Sequence, residues 1–186
     1  MENKPDKIQY ADDDTTPTKR LLEMRLPSLI IGLILGIILS IITSKFEKVL
    51  LENVKIAFFI PLIVYMADAV GTQTQNIYVR DLGKGAVHFH KYLVKETLLG
   101  IFLGLLSSTL TFTTIIFMFN SLELALAVSL GMFVAVAVAP LIALAVARLL
   151  QLEHSDPAVG AGPIATVIQD TVSIVVYGIV ATLIIL

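Results

Sequence analysis

Two aspartates, Asp68 and Asp170, stand inside long apolar stretches: Asp68 in FFIPLIVYMADAVGTQTQN and Asp170 in GPIATVIQDTVSIVVYGIV. A carboxylate at the centre of a hydrocarbon layer costs on the order of 3 kcal/mol by insertion scales. A chain that keeps one aims it at water, a cation or a polar partner. At helical spacing, Thr166, Asp170, Ser173 and Tyr177 fall at i, i+4, i+7 and i+11 and form one polar stripe. Tyr65, Asp68, Thr72 and Gln75 fall at i, i+3, i+7 and i+10, with Asn76 beside them. Two such helices can line a water-filled path. Pro61 and Gly71 admit local departures from regular helix, which would free carbonyl oxygens for coordination. The competing reading is structural: an internal helix–helix hydrogen bond, or a bridge to a cation such as Arg80 or Lys95.

The stripes offer carboxylate, hydroxyl, amide and carbonyl oxygens, with no sulfur and no histidine. That inventory suits Mg²⁺, Ca²⁺ or Mn²⁺ and is poor for Cu(I) or Zn²⁺. One carboxylate per stripe is sparse for a dehydrated Ca²⁺ cage. It suits Mg²⁺, which sheds water reluctantly, and a symmetric dimer would double each carboxylate around its axis. His88 and His90 flank Phe89 in the charged loop Asp81–Tyr92. They read as solvated loop residues, with metal or pH sensing the rarer reading. Glu96, beside Lys95, reads as an interfacial residue near a helix N-terminus, with a place at the inner mouth of the path as the alternative.

The elements that must position these groups are membrane helices. Of 186 residues, 56% are hydrophobic and only 15% charged, and the mean hydropathy is +0.88. A soluble fold of this length could not cover so much apolar surface. Net charge of −2 gives no basic surplus for nucleic acid, and the absence of cysteine excludes disulfides, thiolate metal sites and a cysteine nucleophile. Five apolar segments, roughly Leu26–Thr43, Ile56–Val79, Thr97–Phe119, Leu122–Leu150 and Ile164–Leu186, each reach about the 20 residues a spanning helix needs. The expected architecture is therefore an all-α bundle of five transmembrane helices. Residues 1–25 form a polar cytoplasmic tail ending in a juxtamembrane helix, and residues 26–186 form the membrane domain. With the N-terminus inside, ten Lys and Arg lie on the inner side and three on the outer. The positive-inside rule thus favours a cytoplasmic N-terminus and an external C-terminus, in a multi-pass protein of the cell membrane. The link Leu152–Pro163 reads as a turn-rich connection, with Pro163 in the first turn of segment five.

Small residues recur every fourth position in segment one (Ser28, Gly32, Gly36, Ser40) and segment four (Ala127, Gly131, Ala135, Ala139, Ala143, Ala147), and segment three carries Gly100 and Gly104. Such seams let backbones approach closely in lipid and support a compact, oligomerising bundle. Pro140 should kink segment four unless neighbours satisfy the freed carbonyl.

The stretch SDPAVGAGPIATVIQDTVSIVVYGI resembles the last membrane helix of the MgtE family of magnesium channels and transporters. Asp156–Pro157–Ala158, Gly162–Pro163, Thr166, Asp170 and Tyr177 carry the likeness. PLIVYMADAVGTQTQNIYVRDL resembles the family's second helix, where Gly71, Gln73 and Arg80 match a G-G-N-x-G-x-Q motif and the arginine after it. KETLLGIFLGLLSS resembles the third through Glu96, Gly100 and Gly104. The resemblance covers about Pro61 to the C-terminus. It implies a homodimer with one cation pore at the subunit interface, Asp170 as pore aspartate, and Thr166 and Gly162 at the same ion site. Mg²⁺ is then the expected cargo, Mn²⁺ or Ca²⁺ the alternates, and no enzymatic activity is expected. Two positions depart from the motif: Asp68 takes the place of its second glycine and Ala69 that of its asparagine. Typical members also carry a helical cytosolic domain and paired CBS domains. With about 25 residues before segment one, the expectation is a membrane-domain-only relative.

The metal-site candidates are therefore Asp170, Asp68 and Thr166. Gly71, Thr72, Gln73, Gln75, Gly162, Ser173 and Glu96 are candidates for the pore lining. A cation/H⁺ or cation/Na⁺ exchanger would use the same aspartates and stands beside the channel reading. An intramembrane aspartyl protease also needs two membrane aspartates. Its usual Y-D and G-x-G-D contexts are missing, since the residues here read ADAV and IQDT.

Overall fold

The computed structural model describes residues 14–82, 84, 88–152 and 157–186, and of 150–152 and 157–164 the backbone alone. The described residues form six helices and no strand: α1 (Thr18–Ser44), α2 (Glu47–Glu52), α3 (Lys55–Leu82), α4 (Phe89–Phe119), α5 (Leu122–Leu152) and α6 (Pro157–Ile185). All but α2 are long and apolar enough to cross a membrane, which agrees with the five segments read from the sequence.

All five spanning helices extend beyond the apolar segments at one end or both, α5 by only two residues. α1 begins at Thr18, inside the expected tail, and α4 begins at Phe89 rather than near Thr97. Hydropathy measures the hydrocarbon thickness, about 30 Å, whereas a helix of about 30 residues runs about 45 Å and carries its last turns into the headgroup layer. α3 continues through its polar half to Leu82, with Pro61 inside it. The helix assignment is continuous through Pro61 and Gly71, the two positions that admit local departures. The link before α6 is also corrected: Pro157, not Pro163, occupies the first helical position, where a missing N–H costs nothing.

α5 is the central helix and packs on α3, α4 and α6. Its Ala127, Ala135, Ala139, Ala143 and Ala147 are all buried. The small residues set the distances of approach. A Cβ at Gly100 would lie 2.7 Å from the Ala137 carbonyl oxygen, and one at Gly104 would lie 2.9 Å from that of Phe133. Pro140 is packed against Gly100, and α5 runs on through it. α4 turns into α5 through Asn120, whose left-handed backbone (φ 46°) closes the helix end. The Leu124 N–H then donates to Ser121 Oγ (3.3 Å), a hydroxyl cap for α5.

α1 lies at the edge and packs against α6. Ser28 is buried there, but nothing approaches within 4 Å of a Cβ placed at Gly36. The seam on α1 is thus only partly used within one chain. α2, which the sequence reading did not anticipate, buries Val49, and the Phe46 ring before it lies against Gly178 of α6.

Candidate functional site

The second half of α3 and the first half of α6 enclose a half-open cleft of about 520 Å³. Asp68, Gly71, Thr72, Gln75, Asn76, Val79 and Arg80 line it from α3. Ala165, Thr166 and Gln169 line it from α6. The i, i+4 and i+7 spacing from Asp68 puts Thr72 and Gln75 on one face of α3, and the same helical geometry turns Thr166 toward them. The structure therefore brings together Asp68, Gly71, Thr72, Gln75 and Thr166, which sequence spacing had singled out. Tyr65 points outward at 66% exposure, and Gln73 is also exposed on a face away from the cleft. Gly162 falls outside the residues whose surroundings are described.

The stripe on α6 divides. Thr166 faces the cleft, whereas Ser173 is buried and donates to the Gln169 carbonyl (2.8 Å). Tyr177 is buried too, and its hydroxyl donates to the Ile56 carbonyl (2.9 Å), which ties α6 to the start of α3. Hydroxyl-bearing residues on an apolar helix can satisfy themselves on the backbone, so a polar stripe does not by itself mean a wet one.

Asp170, the expected pore aspartate, is half-buried on α6 and is not among the residues that line the cleft, although its neighbour Gln169 is. The Asp170 Oδ1 is buried and has no hydrogen-bond partner. Asp68 lines the cleft from α3. Among the described residues neither aspartate has an ion-pair partner: Arg80 Nε is 3.2 Å from Asp81 Oδ1 instead. Asp81 also accepts from Lys84 Nζ (3.2 Å) and from the Tyr92 hydroxyl. Of the two cations weighed as a bridge, Arg80 is thus engaged by Asp81, and Lys95 lines a different cavity. A buried carboxylate oxygen with no donor is the arrangement a passing cation would satisfy.

Gln169 was missed in the sequence. It is 3% exposed, and its Nε2 donates to the Ala67 carbonyl (2.7 Å). Its amide lies against Gly71, where a Cβ would come within 2.9 Å of Gln169 Cδ. The signal available was a lone glutamine in an apolar helix, next to an aspartate and facing a glycine on another helix.

Glu96 lies apart from this cleft. It is 8% exposed, accepts from the Thr74 hydroxyl (2.7 Å) and lines a second cavity of about 350 Å³ with Ile77, His88, Lys91, Tyr92 and Lys95. His88 precedes α4 there and His90 is exposed on its first turn. No cluster of three or more His, Cys, Asp or Glu able to hold a metal occurs among the described residues. Whatever the cleft binds, it offers few charged ligands per chain.

The MgtE family profile, described as "Divalent cation transporter", matches residues 60–180. The chain belongs to the MgtE family. Those residues run from the first turns of α3 to near the end of α6, so both walls of the cleft lie in the family region. The chain is similar to "Magnesium transporter MgtE" of Bacillus subtilis (strain 168), 31% identical over 162 residues, covering 85% of this chain and 36% of that protein. It is also similar to the protein of the same name from Enterococcus faecalis (strain ATCC 700802 / V583), 29% identical over 162 residues, covering 86% and 36%. The chain spans little more than a third of the length of these relatives. As an MgtE member with five membrane-length helices it is a multi-pass membrane protein of a transporter family, not of an enzyme family.

Proposed function

We propose that this protein moves divalent cations, Mg²⁺ foremost, across the membrane along the α3–α6 cleft, with Asp170, Asp68 and Thr166 as its cation-binding residues. The observation that carries this reading is the partnerless, buried Oδ1 of Asp170, one residue from a cleft lined by Asp68 and a wall of oxygen-bearing side chains. Leaving such an oxygen unmatched costs about 1–3 kcal/mol or more. The cost is offset when a cation or its water shell occupies the cleft. Hydroxyl and amide oxygens favour a hard cation that keeps its waters, which describes Mg²⁺ best and admits Mn²⁺ and Ca²⁺. The relatives' names, both magnesium transporters, agree with this choice.

The working unit is a homodimer with the path between subunits. One chain lines the half-open cleft with a single carboxylate, Asp68, and holds Asp170 next to its α6 wall, too few to surround a cation, and a two-fold axis beside α6 doubles them. In this reading the N-terminus is cytoplasmic and the C-terminus external, the orientation that the distribution of Lys and Arg favours. Reconstitution of the purified protein into liposomes loaded with a Mg²⁺-sensitive dye tests the function. Inward Mg²⁺ flux down its gradient is expected, and protein-containing vesicles no leakier to Mg²⁺ than empty ones would refute it.

A further inference from the structure

We propose that Gln169 is a binding residue of the cleft, an amide acceptor for the water shell of a hydrated divalent cation. This assignment rests on the transport reading and goes one residue beyond it. The waters of a hydrated cation point their hydrogens outward, so the walls that hold such an ion must present acceptors. Carboxylates always do so. An amide does so only if its orientation is fixed, because its two ends have opposite character.

At Gln169 it is fixed. Nε2 donates to the Ala67 carbonyl at 2.7 Å. The reverse orientation would set Oε1 against that carbonyl, acceptor against acceptor, so the nitrogen belongs there on chemical grounds. Oε1 then has no hydrogen-bond partner among the described residues, although the side chain is nine-tenths buried and lines the cleft. Asp68 and Thr166 line the same cleft. The seat exists because residue 71 is glycine: a Cβ there would collide with the amide. Ala67 and Gly71, one turn apart on α3, thus serve as anchor and seat for a ligand-facing oxygen on α6.

Mg²⁺ titrations followed by thermal shift, with MgCl₂ and the purified full chain in detergent, test the assignment. Gln169→Leu keeps the bulk and removes the acceptor. Its Mg²⁺ midpoint is expected to rise about five- to tenfold, the loss of one hydrogen bond to a charged cluster. Gln169→Glu removes the donor to Ala67 but keeps an acceptor, and its midpoint is expected within about twofold of wild type or lower. A purely structural glutamine predicts a different result: both variants melt earlier without Mg²⁺ and both keep the wild-type midpoint. That result overturns the assignment. Should Gln169→Leu fail to fold, Gly71→Ala displaces the amide while leaving its chemistry intact, and a raised midpoint is again expected. An unchanged one overturns the proposal. Wild-type protein with neither a Mg²⁺-dependent shift nor flux overturns the transport reading along with this one. A normal wild-type response with unaltered variants overturns the amide's role alone.

Discussion

Asp68 and Asp170 differ in what their removal should do. Asp170→Asn is expected to cut Mg²⁺ flux at least about tenfold, since the neutral amide cannot replace the charge of a carboxylate whose buried Oδ1 has no partner. The protein should stay folded, because no described group relies on Asp170 for a hydrogen bond or ion pair. Wild-type flux from a folded Asp170→Asn protein would contradict this. Asp68→Asn is expected to change selectivity among Mg²⁺, Mn²⁺ and Ca²⁺ while the melting temperature moves only slightly. Had Asp68 been paired with a buried cation, the same change would cost about 3–5 kcal/mol. Arg80, the obvious candidate, is engaged by Asp81. Melting and competitive flux measured on one preparation separate the two. Residue types at helical spacing were enough to find Asp68, Thr72, Gln75 and Thr166, because periodicity tells which side chains share a face. They could not show that Ser173 and Tyr177 spend their hydroxyls on backbone carbonyls. Nor could they find Gln169, whose partner Ala67 lies on another helix and contributes only backbone.

The helices depend on a few close approaches. Tyr177→Phe should lose the bond to the Ile56 carbonyl and about 1 kcal/mol of stability. Gly131→Val should cost about 1–3 kcal/mol, because the Tyr177 ring already occupies the space of a Cβ at Gly131. Thermal denaturation in one detergent measures both, and a Gly131→Val protein as stable as wild type would contradict the packing. The five spans were legible because hydropathy reports membrane thickness directly. Their polar ends were not, since Thr18–Arg25 and Phe89–Lys95 carry charges that reach the headgroup layer without interrupting the helix. The six-residue α2 is too short to carry a periodic signal. The alanine and glycine seams also looked alike on segments one and four. The seam on α5 is packed on three helices, whereas that on α1 meets one.

At the scale of the assembly, the absence of native cysteine makes cross-linking clean. A cysteine at the exposed Ile168 of α6 is expected to give a covalent dimer under mild oxidation, because that face borders the cleft and would lie near the proposed axis. Full transport by a strictly monomeric preparation would refute the dimeric path. Single cysteines at Lys84 and Glu47 test orientation through a membrane-impermeant thiol reagent on intact cells. Labelling is expected at position 47 and not at 84, and the reverse pattern would invert the topology.

The edge position of α1 carries a consequence for how the protein is made. Of the six helices described, the one that leaves the ribosome earliest packs on the one that leaves latest. Synthesis of the intervening stretch of about 140 residues takes about 7–28 s at ordinary elongation rates of about 5–20 residues per second. Throughout that interval α1 has no docking partner and must remain in the bilayer on its own hydropathy, with Leu29, Leu33, Ile37 and Ile41 turned to lipid then as they are afterwards. Its apolar, nearly uncharged middle is therefore a requirement of biogenesis before it is one of the finished fold.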